Sequence, residues 1–261
     1  HSPPMYWFLF DGGDIMLTAD GHIPVSDTCP LPTIGEAYPL PSIQGQKAIA
    51  YHVAAGAGIE TAGLQRQGLR ASFYTLSHEE YRMAGKAREL LHFDATHRFC
   101  RICGAPMQRA SDISKRCTAC GREIWPSLTV AIIVLVRKPH PSGRRELEAV
   151  LLVHARNFAG NFYGLVAGFV ETGESLEECL QREVMEETGL HIGNIRYRAS
   201  QPWPYPSGLM VGYFADYISG DIRLQREELE CGGWFTRDNL PEIPGKMSLA
   251  RQLIDLWLQE E

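Results

Sequence analysis

The sequence predicts a three-part chain: a β-rich N-terminal domain over residues 1–95, a small cysteine-bearing segment over residues 96–125, and an α/β sandwich over residues 126–261. Three observations support this division. Short apolar runs broken by Gly and Pro fill the first part. Two Cys-x-x-Cys pairs mark the second part, and in the third part apolar strands lead into a capped amphipathic helix. The apolar content of 44% and charged content of 21% are those of a globular protein.

The first 95 residues contain two strand-length apolar runs, at 6–10 and 47–53. The proline-rich stretch 28–41 is expected to form an extended surface loop. Residues 77–93 have a helical pattern, with Ser77 as the N-cap and Glu79 and Glu80 in the first turn. No catalytic constellation is visible here, so we expect a structural or dimerising role.

Four of the seven cysteines form two Cys-x-x-Cys pairs that are separated by 13 residues. Each pair can direct two thiolates at one ion, and two pairs make a tetrahedral site for Zn²⁺. Four thiolates close the coordination shell, so we expect the zinc to be structural rather than catalytic. The predicted ligands are Cys100, Cys103, Cys117 and Cys120.

The stretch 97–122 carries six Lys or Arg residues and a single acid, Asp112. This basic stretch either faces phosphate groups or is a solvated loop. The whole chain has a net charge of −6, which argues against bulk attraction to polyanions. The chain shows no signal-peptide pattern and no apolar run of membrane-spanning length, and its metal-type cysteine pairs favour a reducing compartment. We therefore expect a cytoplasmic protein without a membrane segment.

The third part begins with apolar strands at 129–136, 148–154 and 165–169, and further strands are predicted at 195–200 and 209–217. A closing amphipathic helix is predicted at 247–258. Its apolar face is expected to pack in the core, with a dimer contact as the alternative. That face consists of Leu249, Leu253, Leu256 and Trp257.

Between these strands, Ser175 and Glu178 form a capping-box pattern and Gly189 is a plausible helix end. Glu183, Glu186 and Glu187 lie three and four residues apart and share one face of this helix. The bland interpretation is a solvated helix with salt bridges. The helix region carries six acids and one base, so the sequence instead favours a divalent cation held by carboxylates and substrate phosphates.

Beyond the helix, residues 200–206 read SQPWPYP. Three prolines stiffen this segment, and Trp203 and Tyr205 offer flat faces that could stack on planar rings. The alternative is a surface loop with Trp203 tucked into the core.

Residues 168–190 also follow one long pattern: Gly168, five residues, Glu174, seven residues, then REVMEETGL. Taken together, this pattern, the cysteine pairs and SQPWPYP resemble the NADH pyrophosphatase family of Nudix hydrolases, over about residues 97–255. The resemblance implies a Nudix α/β/α sandwich with a zinc ribbon. It also implies hydrolysis of NAD(H) to NMN(H) and AMP with Mg²⁺ or Mn²⁺, removal of NAD caps from RNA 5′ ends, and a homodimer. Two positions differ from the family motif: Tyr205 replaces Phe and Gly208 replaces Ser.

Site residues follow from the same resemblance. The expected catalytic group is Glu183, Glu186, Glu187, Arg182 and Glu174. Because the helix places Arg182 beside the glutamates, we expect it to steady a neighbouring glutamate such as Glu174 rather than to touch substrate. The implied ligands of the catalytic cation are Glu183, Glu187, Glu228 and the carbonyl of Ala167. The implied substrate-binding residues are Phe169, Gln201, Pro202, Trp203, Pro204, Tyr205, Pro206, Ser207, Gly208, Trp125 (across the dimer), Asp112, Arg70 and Ala250.

Three other functions remain open from sequence. The first is a Nudix enzyme that acts on ADP-ribose or another nucleoside diphosphate derivative. The second is a nucleotide sensor that binds without hydrolysis. In the third, the ribbon is an RNA- or protein-binding module to which the Nudix part is secondary.

Overall fold

A computed structural model of the chain describes residues 3–260 and divides into two compact units. The first unit runs to Ser127 and also contains Trp203–Ser207; the second contains Leu128–Pro202 and the chain from Gly208 onward. Within residues 3–260, no helix combines the length and apolarity needed to span a membrane. The three-part division at residues 95 and 125 stays a prediction.

A mixed sheet forms the body of the first unit. Its strands are β1 (Met5–Asp11), β2 (Asp14–Thr18), β3 (Val25–Ser26), β4 (Thr33–Ile43), β5 (Gln46–Val53) and β6 (Leu64–Gly68). The order is β4-β5-β1-β2-β6, with β3 added to β1. The two strands predicted from apolar runs are β1 and β5, which pair in parallel near the centre. The expected β-rich N-terminal part is therefore confirmed.

The surface loop expected at 28–41 is partly wrong, because β4 occupies most of it. Tyr38 and Leu40 are buried while Pro39 and Pro41 are exposed, which is the alternation of a half-buried strand. β4 is an edge strand, where proline can be tolerated because one side of the strand needs no donor. The prolines therefore led to the prediction of a loop, and the strand is recognised only from its pairing in the sheet.

Two helices follow, α1 (Leu69–Ser72) and α2 (His78–Thr96). The predicted N-cap Ser77 is confirmed: its hydroxyl accepts from the backbone of Glu80, whose carboxylate accepts from the Ser77 backbone. α2 covers one face of the sheet through Ala84, Leu91 and neighbouring apolar residues. It runs three residues past the predicted end at 93.

The cysteine segment forms a small three-stranded sheet, β7 (Met107–Arg109), β8 (Lys115–Cys117) and β9 (Glu123–Ile124). Three of its bases are paired with acids: Lys115 with Asp94, Arg109 with Glu36 and Arg116 with Glu123. The basic stretch is therefore partly neutralised within the first unit. Its remaining bases, Arg98, Arg101 and Arg122, are exposed.

The second unit is built on a sheet of order β13-β14-β10-β11-β15, with β12 paired to β10. The elements are β10 (Thr129–Lys138), a 3-10 turn (Arg145–Leu147), β11 (Ala149–Ala155), β12 (Val166–Phe169), α3 (Leu176–Thr188), β13 (His191–Pro202), β14 (Gly208–Ser219), β15 (Leu229–Thr236) and α4 (Leu249–Gln259). Ile132 and Val134 of β10 pack with α3, whereas Ile133 and Leu135 pack with α4. The helices cover opposite faces, and the predicted α/β/α sandwich is confirmed.

Two details differ from expectation. β15 was not predicted, because its Gly232 and Gly233 interrupt any apolar alternation. On α4, Leu249, Leu253 and Trp257 are buried as expected, but Leu256 is 36% exposed and Ile254 is buried in its place. The apolar face of α4 therefore packs in the core, and the prediction was wrong only for Leu256, which lies at the edge of the buried face.

Candidate active site

Helix α3 is held at both ends by the residues that the sequence singled out. The Ser175 hydroxyl accepts from the Glu178 backbone at 3.2 Å, and the Glu178 carboxylate accepts from the Ser175 backbone at 2.7 Å. At the other end Gly189 adopts φ +73°, a left-handed conformation that favours glycine. These caps fix the helix that carries the glutamates.

Arg182 organises much of the acidic charge. It donates two hydrogen bonds to Glu174, at 3.0 and 2.7 Å, and single bonds to Glu183 at 2.9 Å and Glu186 at 3.2 Å. The bidentate contact, together with the Glu171 backbone, holds the pKa of Glu174 near 2. One base therefore contacts three carboxylates, so much of the repulsion expected from sequence is already offset within the helix region. Arg182 lies where the sequence placed it, beside Glu174.

Glu187 is different. Its side chain is buried, with the residue only 4% exposed, and no cationic side chain among residues 3–260 pairs with it. Burial, then the nearby charges of Glu183, Glu228 and Glu186, raise its pKa to about 8. Burial also raises the pKa of Glu183. This part of the cluster is where added positive charge would be most strongly attracted.

The segment before β15 brings Glu228 into this cluster. The backbone N–H of Arg223 donates to the carbonyl of Thr188 at 2.8 Å, and that of Gln225 donates to the carbonyl of Glu187 at 2.9 Å. These bonds satisfy carbonyls at the C-terminal end of α3, which have no partner within the helix. Glu228 follows three residues later and is exposed. The sequence pattern alone did not predict that the segment before β15 packs against the C-terminal end of α3.

Gly168 lies in β12 directly beneath Glu183. A Cβ built on Gly168 would overlap the carboxylate carbon and Oε1 of Glu183. Glycine is therefore required because the Glu183 side chain crosses the strand backbone at this point. On either side, Ala167 pairs with Ile133, and the 65% exposed Phe169 accepts from Arg182 through its carbonyl.

The remaining implied residues of the second unit are more dispersed. Ala250 is buried in the core beneath α4, which lies on the opposite face of the sheet from α3. Gln201 donates to the carbonyl of Met247 at 2.8 Å, and its Oε1 is buried without a described partner. Pro202 ends β13 and Gly208 begins β14 opposite Thr129.

The first unit brings another subset together. The guanidinium of Arg70 lies 4.9 Å from the Trp203 ring centroid and 4.6 Å from that of Tyr205. Tyr81, which sequence reasoning missed, shares a hydrogen bond with Tyr205. One feature of the sequence could have predicted this partner: Tyr205 stands where the resembled family has Phe, and a half-buried hydroxyl needs a hydrogen-bond partner.

The other implied residues of this unit are spread more widely. Pro204 is buried and Pro206 exposed, and the Ser207 hydroxyl donates to the Ser127 carbonyl at 3.3 Å. Asp112 is exposed in the ribbon, and Trp125 is 53% exposed.

The four ribbon cysteines form a cluster whose Sγ atoms all lie within 4.8 Å of one another. The Cys100–Cys120 and Cys103–Cys117 Sγ distances are 3.7 and 3.4 Å, close to the edge of about 3.8 Å expected for tetrahedral Zn–S bonds. Backbone N–H groups, first that of Cys120, lower the pKa of Cys117 to about 6. The donor set therefore fits a closed four-thiolate metal site.

Among residues 3–260, the cysteine tetrad is the group of potential metal ligands whose ligand atoms all lie within 4.8 Å of one another. The carboxylates of the α3 glutamates are not gathered as closely as this. The case for a cation at the glutamates is instead that Glu187 is buried next to the carboxylates of Glu183 and Glu228, with no described cationic side chain beside it to balance their charge. Oxygen ligands of this kind suit hard divalent ions that keep part of their water shell. On α3 itself, burial raises the pKa of the Cys179 thiol to about 12, which keeps it protonated and unreactive.

Comparison with known proteins matches residues 127–256 to the NUDIX domain and residues 95–124 to the NADH pyrophosphatase zinc ribbon domain. The chain is 40% identical to the NAD-capped RNA hydrolase NudC of Stutzerimonas stutzeri, covering 76% of this chain and 70% of that protein. It is 42% identical to its namesake in Haemophilus influenzae strain PittGG, over 71% and 69% of the two chains. A Deinococcus radiodurans relative of the same name is 34% identical over 97% of this chain and 88% of its own length. The chain therefore belongs to the Nudix hydrolases that carry an NADH pyrophosphatase zinc ribbon.

Proposed function

We propose that this protein hydrolyses the diphosphate of NAD(H), giving NMN(H) and AMP, and removes NAD caps from RNA 5′ ends. The observation that carries the proposal is the buried Glu187 carboxylate, flanked by Glu183 and Glu228 and unmatched by a described base. Family membership and the name shared by the three relatives support the choice of substrate.

Glu183, Glu187, Glu228 and the Ala167 carbonyl are the proposed ligands of Mg²⁺ or Mn²⁺. When bound, the cation neutralises diphosphate charge and lowers the pKa of a coordinated water. The carboxylates of the cluster, including Glu186, supply the acceptor for the proton of the attacking water. Arg182 keeps Glu174 and Glu183 in place through the contacts described above.

Substrate recognition is assigned to aromatic faces. Phe169, at 65% exposure, offers a ring for the nicotinamide, and Trp203 and Tyr205 offer a second stacking surface. Stacking on planar bases contributes about 1–3 kcal/mol per ring without reading sequence. The other proposed substrate-binding residues of this motif, carried over from the resemblance, are Gln201, Pro202, Pro204, Pro206, Ser207 and Gly208. Asp112, Arg70 and Ala250 retain a proposed contact role on the resemblance alone.

Zn²⁺ held by the four cysteines is proposed as structural, and Trp125 is proposed to complete the site across a homodimer. Two observations support these proposals: the four Sγ atoms lie close enough together to fill a four-coordinate shell, and Trp125 exposes an indole that an interface would cover. The two Cys-x-x-Cys pairs, which suit a metal ion rather than disulfides, support a reducing, cytoplasmic location. Metal analysis by mass spectrometry and light-scattering mass, with about 58 kDa expected for two copies of 29.2 kDa, would test the zinc and the dimer.

The substrate test compares kcat/KM for NADH, NAD⁺, ADP-ribose, dinucleoside polyphosphates and NAD-capped RNA, with Mg²⁺ and Mn²⁺ in turn. We expect NAD(H) or capped RNA to lead by at least tenfold. A lead for ADP-ribose would replace the proposed substrate, and binding without turnover would indicate a sensor.

Glu187→Gln tests the site itself. Because each factor of ten corresponds to about 1.4 kcal/mol and the electrostatic help of a bound cation is worth several, kcat should fall by about 10²–10³. Glu177→Gln is the matched control, since Glu177 lies exposed on the same helix. A Glu187→Gln protein with turnover within twofold of the parent would exclude this site.

A further inference from the structure

The five residues Trp203–Ser207, here named the aromatic loop, connect β13 to β14. The chain leaves the second unit at Pro202 and re-enters it at Gly208, and the loop itself belongs to the first unit. Its contacts there come from three places: α1, the start of α2, and a glycine one helical turn further along α2. Each of these contacts bears on how the rings of the loop are held.

The first contact is between two tyrosine hydroxyls. The Tyr205 and Tyr81 oxygens lie 2.8 Å apart, and both side chains are half-buried. Burial raises the pKa of both phenols, so both stay protonated at neutral pH and one can donate to the other. The two residues are 124 positions apart in sequence, so the bond ties the loop to α2 rather than to its own hairpin.

The second contact explains a glycine inside a helix. Gly85 lies four residues after Tyr81, on the same face of α2, and it is buried. A Cβ built on it would lie 3.3 Å from Cγ of Pro204, a tight contact. Glycine is a poor helix former, so its place in mid-helix is best explained by the close approach of the loop.

The third contact is from Arg70 of α1, whose guanidinium faces both rings of the loop. The rings themselves meet edge to face, with centroids 5.0 Å apart and planes at 70°. This is a favourable geometry for an aromatic pair, and a cation over two rings holds their relative tilt.

We propose that Tyr81 and Gly85 are positioning residues that, together with the guanidinium of Arg70, hold Trp203 and Tyr205 as a preformed stacking surface for a planar ring of the dinucleotide. This inference rests on the proposed function. A surface that is ordered before binding saves the entropy of ordering it on binding, which strengthens substrate binding without changing the chemical step. Loss of the contacts should therefore raise KM and leave kcat nearly unchanged.

A double-mutant cycle on the hydroxyl pair tests this with NADH and saturating Mg²⁺. A hydrogen bond of this kind corresponds to a roughly three- to tenfold change in an equilibrium constant. We expect Tyr81→Phe to raise KM by that factor with kcat within twofold of the parent. In a Tyr205→Phe background, the same substitution should change KM by less than about 1.5-fold, because the bond is already absent. Tyr74→Phe, which alters a 65% exposed tyrosine of the same unit, should leave KM unchanged.

Gly85→Ala gives a second readout that separates positioning from stability. Alanine is the better helix former, so the melting temperature should not fall. Pro204 must move by a few tenths of an ångström, however, so KM should rise. Unchanged KM in both Tyr81→Phe and Gly85→Ala, additive effects in the cycle, or a fall in kcat at constant KM would each overturn the inference. A parent protein that does not hydrolyse NADH would instead contradict the proposed function.

Discussion

Glu187 and Glu183 have the most unusual environments among the acids of α3. Arg182 contacts Glu174, Glu183 and Glu186, and the Ser175 cap uses Glu178, whereas Glu187 is buried with like charges around it. A carboxyl in that position favours the neutral state until a cation arrives. The consequence can be measured in the absence of substrate.

In protein stripped of divalent cations, the pKa of Glu187 near 8 lies above its ordinary value of 4.5. The folded state therefore keeps a proton that the unfolded chain releases, so the stabilisation is full below about pH 4.5 and is lost as the pH rises through 8. We expect Glu187→Gln to gain urea stability relative to the parent as the pH increases from 5 to 8. Adding Mg²⁺ at pH 8 should stabilise the parent more than the variant. Parallel pH profiles for the two proteins would contradict the assigned environment.

Gly168→Ala tests the strand beneath the cluster. The new Cβ would occupy the space of the Glu183 carboxylate, so this side chain must move away from its position beside Arg182. We expect kcat to fall at least tenfold while the circular dichroism spectrum is retained. Gly13→Ala is the control, because Gly13 has open space around a built Cβ and no positive φ. Wild-type turnover in Gly168→Ala would show that the position of Glu183 is not critical.

At the scale of elements, sequence predicted best what is determined locally. The α3 caps Ser175 and Gly189 act within a few residues, so their pattern was enough. β4 and β15 could not be predicted in this way. The prolines of β4 are tolerated because it is an edge strand, and the glycines of β15 lie in its pairing with β11, where Gly232 packs closely against Val153. Both strands form because they pair with other strands of their sheets. The pattern of a single sequence does not show which strands will pair.

We expect the zinc ribbon to be the element whose stability depends most on a ligand. Its three strands are two or three residues long, too short to form a core without the cysteine cluster. We expect Cys103→Ser to lower bound zinc from one ion per chain to none and to increase amide hydrogen exchange across residues 98–124. Cys231→Ser, which changes a cysteine outside the tetrad, should keep the zinc and the protection. Full zinc retention in Cys103→Ser would show that the tetrad is not the site.

At the scale of the whole molecule, the contacts that escaped prediction are those between residues far apart in sequence. Sequence identified Tyr205 and the basic stretch, but not their partners. Tyr205 bonds to Tyr81, and Lys115 forms an ion pair with Asp94 of α2 at 2.6 Å. Both contacts belong to the first unit, for whose first 95 residues the sequence predicted only a structural or dimerising role. The unit thus combines the sheet, the ribbon and the aromatic loop through a few specific polar contacts.

The Lys115–Asp94 pair is short, at 2.6 Å, and largely buried, and it gives the last prediction. Lys115 is only 4% exposed, and Asp94 also accepts from the Tyr38 hydroxyl at 3.0 Å. Asp94→Ala leaves a buried ammonium without its counter-ion, which should lower the unfolding free energy of the first unit by about 2–4 kcal/mol. Adding Lys115→Met to this variant should recover most of the loss, because the unpaired charge is removed. By contrast, Glu36→Ala removes an exposed partner of Arg109 and should cost less than about 1 kcal/mol in the same urea titration. An equal loss in Asp94→Ala and Glu36→Ala would mean that burial of Lys115 does not govern how the ribbon is held on α2.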